Sequence, residues 1–339
     1  VALLESRPNK PSFVDVLAGR APLVGARFAS EFAEGWVSPA DARLALGLAY
    51  EDAAAIERDY LSARSSRRDL ALVARTLVAR ALAPAREGAL EERPWVVACA
   101  VDNVTIPEAI ERIVAPPRRD RARMVHFVHP HALNLATNDP SLRARLASAD
   151  LVLPDGIGLQ IGARIVGTPL KHNVNGTDLL PLLCDALAER EIPLSLVGAA
   201  PGVAAECAAL LKERHPSLVV AEVEHGFVQG AERDALIERL RRVGGVVLVG
   251  MGTPIQERWA WEHLAAVSGI TVLTVGGLFD FYSGRIPRAP MALREVGLEW
   301  TWRLAQEPTR LAKRYLLGNP VFLARSLKQR AFGSTAVPR

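Results

Sequence analysis

Residues 151–158 read LVLPDGIG: a short apolar run that stops at Pro154, then Asp155, two glycines around Ile157, and helical spacing beyond. An apolar run that ends in a turn and gives way to a helix is one unit of a buried strand and its crossover. The unit recurs from residue 94 onward. Strand candidates are WVVACAV (95–101), MVHFVH (124–129), ADLVLP (149–154), PLSLVG (193–198), SLVVAEV (217–223), GVVLVG (245–250) and ITVLTVG (270–276). Between them, stretches such as TDLLPLLCDALAERE (177–191) and GVAAECAALLKERH (202–215) carry apolar residues three and four apart. Continuous apolar strands separated by helices predict an α/β domain: a Rossmann-like, doubly wound, mostly parallel sheet covered on both faces. Ligands of such sheets bind beyond the carboxyl ends of the strands, and Asp155 stands at one of those ends.

Around this domain the composition changes. Residues 1–93 read as helical and arginine-rich, closing with LAPAREGALEERP (82–94) as a linker; residues 94–289 form the α/β domain, and 290–339 a basic helical appendage. Half of the 339 residues are apolar, enough for a proper core. No run approaches the roughly 18 apolar residues of a membrane span, and no leader pattern opens the chain, so neither secretion nor a transmembrane anchor is expected. Cys99, Cys184 and Cys207 lie in apolar runs without CxxC spacing and read as buried thiols in a reducing compartment. The net charge of +4 is unevenly placed, with ten basic residues against three acidic ones between Arg285 and Arg330. Such a segment suits a phosphate-bearing ligand, an anionic membrane surface or nucleic acid. In RRDLALVARTLVARAL (67–82), arginines interleaved with apolar helical spacing fit either a helix on a membrane surface or a packed helix with a solvated face. The aromatics and arginines of WTWRLAQEPTRLAKRYLLGNP (300–320) favour a helix packed back onto a domain over a nucleic-acid surface, and no nucleic-acid partner is expected.

Several strand ends carry chemistry. LVGMGTPIQERW (248–259) runs from a strand through Gly250 and Gly252 to Thr253 as an expected N-cap, with Pro254 as first helical residue; LVGAAPGVAAE (196–206) repeats the design after Gly198. Both present backbone N–H groups to an anion, or are tight turns that bind nothing. Neither they nor GIGLQIG completes GxGxxG, so no dinucleotide cofactor is expected and an oxidoreductase reading is disfavoured. No DxD occurs, so no metal-clamped diphosphate is expected, and arginines with helix N-termini must neutralise a leaving diphosphate. Asp155 reads as a base or as a helix cap. Asp280 in GGLFDFYSGR (276–285) reads as a sugar-orienting group or as the holder of the turn after it. His129 and His131 read as polar lining in preference to a metal site, since an H-x-H pair lacks a third ligand.

The blocks ADLVLPDGIGLQIGARIVG (149–167), VNGTDLLPLL (174–183), VGMGTPIQERW (249–259), GGLFDFYSGRIPRAP (276–290) and GLEWTWRLAQEPTRLAKRYLLGNP (297–320) resemble, in order and spacing, the motifs of the WecG/TagA/CpsF glycosyltransferases across about residues 95–327. The resemblance implies an inverting enzyme, cytoplasmic and peripheral on the inner face of the cell membrane. Such an enzyme moves an N-acetylmannosamine-type or related sugar from a UDP-sugar to a polyprenyl-diphosphate-linked sugar. It implies Asp155 as the base, Gln256 and Glu257 in the nucleotide-sugar pocket, and Arg303, Arg310 and Lys313 or Arg314 over the diphosphate. Two places depart from the family pattern: Phe127 and His129 stand where Thr-x-Asn is usual, and Asn173 stands where an arginine is usual. These changes support a competing expectation, a catalytically inactive scaffold at the membrane. A homo-oligomer is compatible with the sequence.

A second resemblance lies upstream. PSFVDVLAGRAPLVGARFASEF (11–32) and ARSSRRDLALVARTLV (63–78) look like blocks of the monotopic phosphoglycosyltransferases that initiate sugar transfer, with Pro8 and Asn9 where those enzymes carry an Asp-Glu pair. The first 90 residues are therefore expected to be a degenerate remnant without catalysis of its own.

Overall fold

The computed structural model describes residues 11–41, 43, 53–82 and 90–333. Pro8, Asn9 and most of the expected linker lie outside the described residues. The chain divides into two compact units, one formed by Val1–Pro84 with Ala289–Glu299, the other by Ala85–Arg288 with Trp300–Arg339.

The larger unit is a Rossmann-like α/β fold. Two short strands, β1 (Trp95–Val96) and β2 (Cys99–Ala100), precede β3 (Arg123–Val128), β4 (Leu151–Pro154), β5 (Leu194–Gly198), β6 (Val220–Glu224), β7 (Gly245–Gly250) and β8 (Ile270–Thr274). The last six form one sheet in the order β4-β3-β8-β7-β5-β6, every neighbouring pair parallel. Residues 95–101, expected as one strand of that sheet, instead form the antiparallel β1–β2 pair. The chain reverses at Val97, which takes φ of 59°, and the Ala98 N–H bonds the Val96 carbonyl at 2.7 Å. The segment meets the sheet edge only beyond β2, where Asp102 N–H donates to Val152 O (2.8 Å) and Asp102 Oδ2 accepts the Val152 N–H (2.7 Å).

Burial follows the apolar runs. One core cluster includes Val128, Leu133, Val152, Leu159 and Phe322; another includes Met124, Val197, Val247, Val249 and Val272. Phe322 belongs to the long helix Gly318–Phe332, which lies against the helix Ile157–Val166, and a side chain at Gly162 would run into its ring. Gln329 and Arg325 fasten the same helix, Gln329 to Trp95 O and Val97 N–H (2.8 and 2.6 Å), Arg325 to Asn134 Oδ1 (2.8 Å). The far end of the basic tail is thus part of the core. All three cysteines are buried and unpaired, and burial pushes each thiol up to about 12.

His126, inside β3, shares a 2.8 Å hydrogen bond between Nδ1 and the Thr274 hydroxyl on β8, and burial pushes its pKa down to about 4. Its protonation is easier in the unfolded chain, whose histidines titrate near 6.5, so its contribution to stability is complete above that pH and is lost as pH falls toward 4. Thermal melts from pH 7 to 4 are expected to show Tm falling below about pH 6.5. A flat profile would contradict a neutral buried His126.

In the smaller unit the helices Ala53–Ser62 and Ser66–Leu82 pack with a loop core of Val24, Ala26, Ala29 and Val37. Glu57, fully buried, accepts the backbone N–H groups of Arg27, Phe28 and Ala29 at 2.7–2.9 Å, which fixes the loop after Gly25. Leu72, Thr76 and Ala79 are buried, while Leu70, Leu77 and Val78 are exposed. Glu295, from the segment 289–299, is buried and pairs with Arg43 (3.0 Å) and Arg75 (3.3 Å).

Candidate active site

Parallel pairing brings the strand ends together. Val128 is in register with Pro154, so the next residues along the chain, His129 and Asp155, emerge side by side beyond β3 and β4. The Asp155 N–H donates to Val128 O at 2.8 Å, extending the ladder one step beyond the strands. Gly156, with φ of 89°, turns the chain into the helix Ile157–Val166, and Asn173 Oδ1 accepts its N–H at 2.6 Å. Asp155 therefore precedes the N-cap residue, and Asn173 locks the turn that aims it.

His129 caps the helix Pro130–Asn138, its Nδ1 accepting the Ala132 N–H at 3.1 Å. Burial, reinforced by Arg314, His131 and Arg303, holds its pKa well below the ordinary range, so the ring is neutral at physiological pH. With Nδ1 accepting, the proton sits on Nε2, which leaves a neutral N–H donor next to Asp155. An asparagine at this position would also cap the helix and supply an N–H. His131 stands parallel to His129, ring centroids 6.0 Å apart. Among the described residues no group of three or more His, Cys, Asp or Glu is placed to hold a metal ion.

Guanidinium groups from the tail converge on this corner. Arg314 lies in the π-helical turn Lys313–Leu317, which follows the short helix Pro308–Ala312. Burial lowers its pKa; Arg303 and Arg310 repel it, while Tyr315 and Asp155 attract it. Arg303 stacks over the Phe281 ring at 4.6 Å. Arg310 is exposed and pairs with Glu307 (Nε–Oε1 2.8 Å), and Lys313 is exposed. Burial raises the pKa of Asp280, partly offset by Arg310, Arg285 and Arg303. A patch of like-charged groups partly removed from water is stabilised by an anion, above all one with several phosphate oxygens.

The remaining strand ends form the rest of the rim. Gly198 (φ 146°) lies so close to the Gly250 carbonyl that no side chain fits, and Ala199 N–H bonds that carbonyl at 2.7 Å. The helix after Gly202 starts without a side-chain cap, as does the helix Ile255–His263. Thr253, expected as N-cap of the latter, does not cap it: the cap position falls at Pro254, and the Thr253 hydroxyl donates to Glu257 Oε1 at 2.8 Å. Gln256 Oε1 accepts from Gly252 N–H (3.2 Å) and Gly276 N–H (2.8 Å), and its Nε2 donates to Glu257 Oε1 at 2.9 Å. Gln256 and Glu257 are buried and tie the β7 and β8 ends into one loop cluster, with burial raising the pKa of Glu257. Sequence reading passed over Arg288, which pairs with the buried Asp178.

A parallel sheet with a carboxylate and a neutral imidazole at adjacent strand ends, with guanidinium groups nearby, is an arrangement suited to moving a group off an anionic substrate. The chain belongs to the WecG/TagA/CpsF family of glycosyl transferases, whose family model matches residues 95–336. It is similar to the N-acetylglucosaminyldiphosphoundecaprenol N-acetyl-beta-D-mannosaminyltransferase of Bacillus spizizenii, 31% identical over 57% of this chain and 74% of the relative. Enzymes of the same name from Bacillus subtilis (26% identical, 64% of this chain, 83% of the relative) and Staphylococcus aureus strain MW2 (24%, 67% and 89%) are also similar. The chain is thus a glycosyltransferase.

Proposed function

We propose that this glycosyltransferase moves an N-acetylmannosamine-type sugar from a UDP-sugar to a polyprenyl-diphosphate-linked sugar, with inversion at the anomeric carbon. The observation that carries the reading is the juxtaposition of Asp155 and His129 with Arg303 and Arg314. An acceptor hydroxyl attacks the anomeric carbon; its proton passes to Asp155 as the bond from that carbon to the diphosphate oxygen breaks, and UDP departs. Arg303 and Arg314 take up the negative charge developing on the diphosphate, and the Gly198 and Gly250–Thr253 strand ends line its nucleotide side. His129 Nε2–H donates to a substrate oxygen. UDP release from UDP-N-acetylmannosamine, measured with a short polyprenyl-diphosphate-N-acetylglucosamine acceptor, tests the assignment; no turnover across a panel of UDP-sugars, with UDP still bound, would replace it by the scaffold reading. That reading draws on Phe127, buried among core side chains, and Asn173, whose oxygen is occupied by Gly156.

His129→Asn is expected to keep activity within several-fold of the native chain, because cap and donor both survive. His129→Ala is expected to lose about tenfold in rate and about 1 kcal/mol of stability. Equal kinetics for the two variants would remove His129 from the site.

The acceptor is membrane-bound, and the exposed Leu316, Leu317 and Val321, beside Lys313, supply an apolar and basic face for an anionic bilayer. No described helix is long and apolar enough to cross a membrane, so attachment is peripheral in this reading. The N-terminal unit fits the same role as a non-catalytic phosphoglycosyltransferase remnant, its exposed Leu70, Leu77 and Val78 flanked by Arg67 and Arg80.

A further inference from the structure

Arg303 owes its place to the helix that carries it. Its Cζ stacks over the Phe281 ring at 4.6 Å, and an Nη atom lies 3.8 Å from where a side chain at Gly277 would begin, just past β8. Among the described residues no carboxylate or carbonyl holds the guanidinium, and its Nε is buried without an acceptor. A cation over a ring face can slide and turn, so the stack alone does not fix its direction.

The helix, Glu299–Gln306, is fastened at one point. Trp302 Nε1–H donates to Pro287 O at 3.1 Å, and Gln306 Nε2–H donates to the same oxygen at 3.3 Å. The two donors are four residues apart and so share one helix face, and a carbonyl has lone pairs for both. Pro287 is a firm post. On one side Ile286 N–H bonds Asp280 O at 3.0 Å; on the other Arg288 pairs with the buried Asp178. The chain between post and helix, Ala289–Glu299, is counted with the smaller unit. Within the larger unit these two side-chain bonds, not a run of backbone, tie the helix to its post. Trp300, on the same helix, packs its ring against Tyr315 at 5.8 Å, the neighbour of Arg314.

We propose that Trp302, assisted by Gln306, is a positioning residue for the transfer: by latching the helix to Pro287 O it holds the Arg303 guanidinium at the end of β8 before the diphosphate of the donor arrives. A cation already in place stabilises developing charge without reorganising at the moment of reaction. Both bonds are neutral and only partly shielded from water, hence individually weak, which lets the helix release when donor enters and UDP leaves. The role rests on the reading of Arg303 as a ligand of the diphosphate; the latch rests on the hydrogen bonds alone.

The test uses the full-length chain with Trp302→Phe, which keeps a ring and removes the N–H, and Gln306→Met, which keeps length and removes the amide. Calorimetric titration with UDP needs no acceptor, and UDP-release kinetics follow. Each variant is expected to weaken UDP and raise the UDP-sugar KM by about three- to tenfold, the pair together by more, with kcat within a few-fold of native and Tm near native. Amide hydrogen exchange over 299–306 is expected to quicken. In an Arg303→Ala background, Trp302→Phe is expected to cost nothing further, because the group it positions is gone. Native UDP affinity in Trp302→Phe, with Arg303→Ala weakened, would overturn the latch. The same loss in both backgrounds would make Trp302 a general structural residue and overturn it too. Native UDP affinity in Arg303→Ala would instead remove Arg303 from the diphosphate, so the underlying reading would fail and carry the proposal with it.

Discussion

Asp155→Asn is expected to lower kcat by about two to four powers of ten while leaving UDP affinity within a few-fold of native, as loss of a positioned general base does. The substitution preserves volume and the backbone bond from residue 155 to Val128 O, so strand pairing and the turn at Gly156 survive. In the proposed mechanism, what disappears is the group that takes the acceptor proton. Arg314 gains from the same charge, since Asp155 is one of the groups that favour its protonated form. A second consequence follows: the loss falls on the chemical step and not on donor binding, because removing the carboxylate also relieves the diphosphate of a nearby negative charge. Stopped UDP release with intact UDP binding is the expected signature. An Asp155→Asn enzyme with more than a tenth of native turnover would assign the base elsewhere.

Arg314→Ala is expected to cost about two to three powers of ten in kcat/KM for the UDP-sugar, comparable to loss of a preorganised group facing developing charge. Arg314→Lys should recover part of it, because an ammonium supplies the charge without the planar fork that grips two phosphate oxygens. Lys313→Ala is expected to have little effect on turnover in detergent, since its side chain is exposed. The histidines give an independent readout. Burial first, and then Arg314, hold His131 below the usual imidazole range, so Arg314→Ala should raise its pKa in an NMR titration. An unmoved histidine, or an alanine variant with native kinetics, would place Arg314 outside the site.

Much of this molecule was legible from local sequence. Six of the seven apolar runs became strands of one parallel sheet, five of them as almost wholly buried apolar runs and the edge strand β6 as a partly exposed one. The exception, 95–101, has the same composition, and only the turn at Val97 and the bonding of Asp102 to Val152 separate it from a sheet strand. Thr253 is a second instance. Its sequence context is that of an N-cap, yet the buried Glu257 one turn along the chain takes its hydroxyl, because a carboxylate removed from water needs donors more than an exposed helix end needs a cap.

The sequence alone determined the sheet, its parallel sense and the placement of Asp155 at a strand end, since periodicity and turn residues are local properties of the chain. It also carried the family motifs. Only the tertiary structure decided which groups share a site: the register that sets His129 beside Asp155, and the π-helical turn that half-buries Arg314 while leaving Lys313 exposed. The physical reason is that burial and charge proximity are set by residues distant in the chain, His129 and Asp155 on neighbouring strands and Arg314 from the tail, whereas a strand or a cap is set by its immediate neighbours.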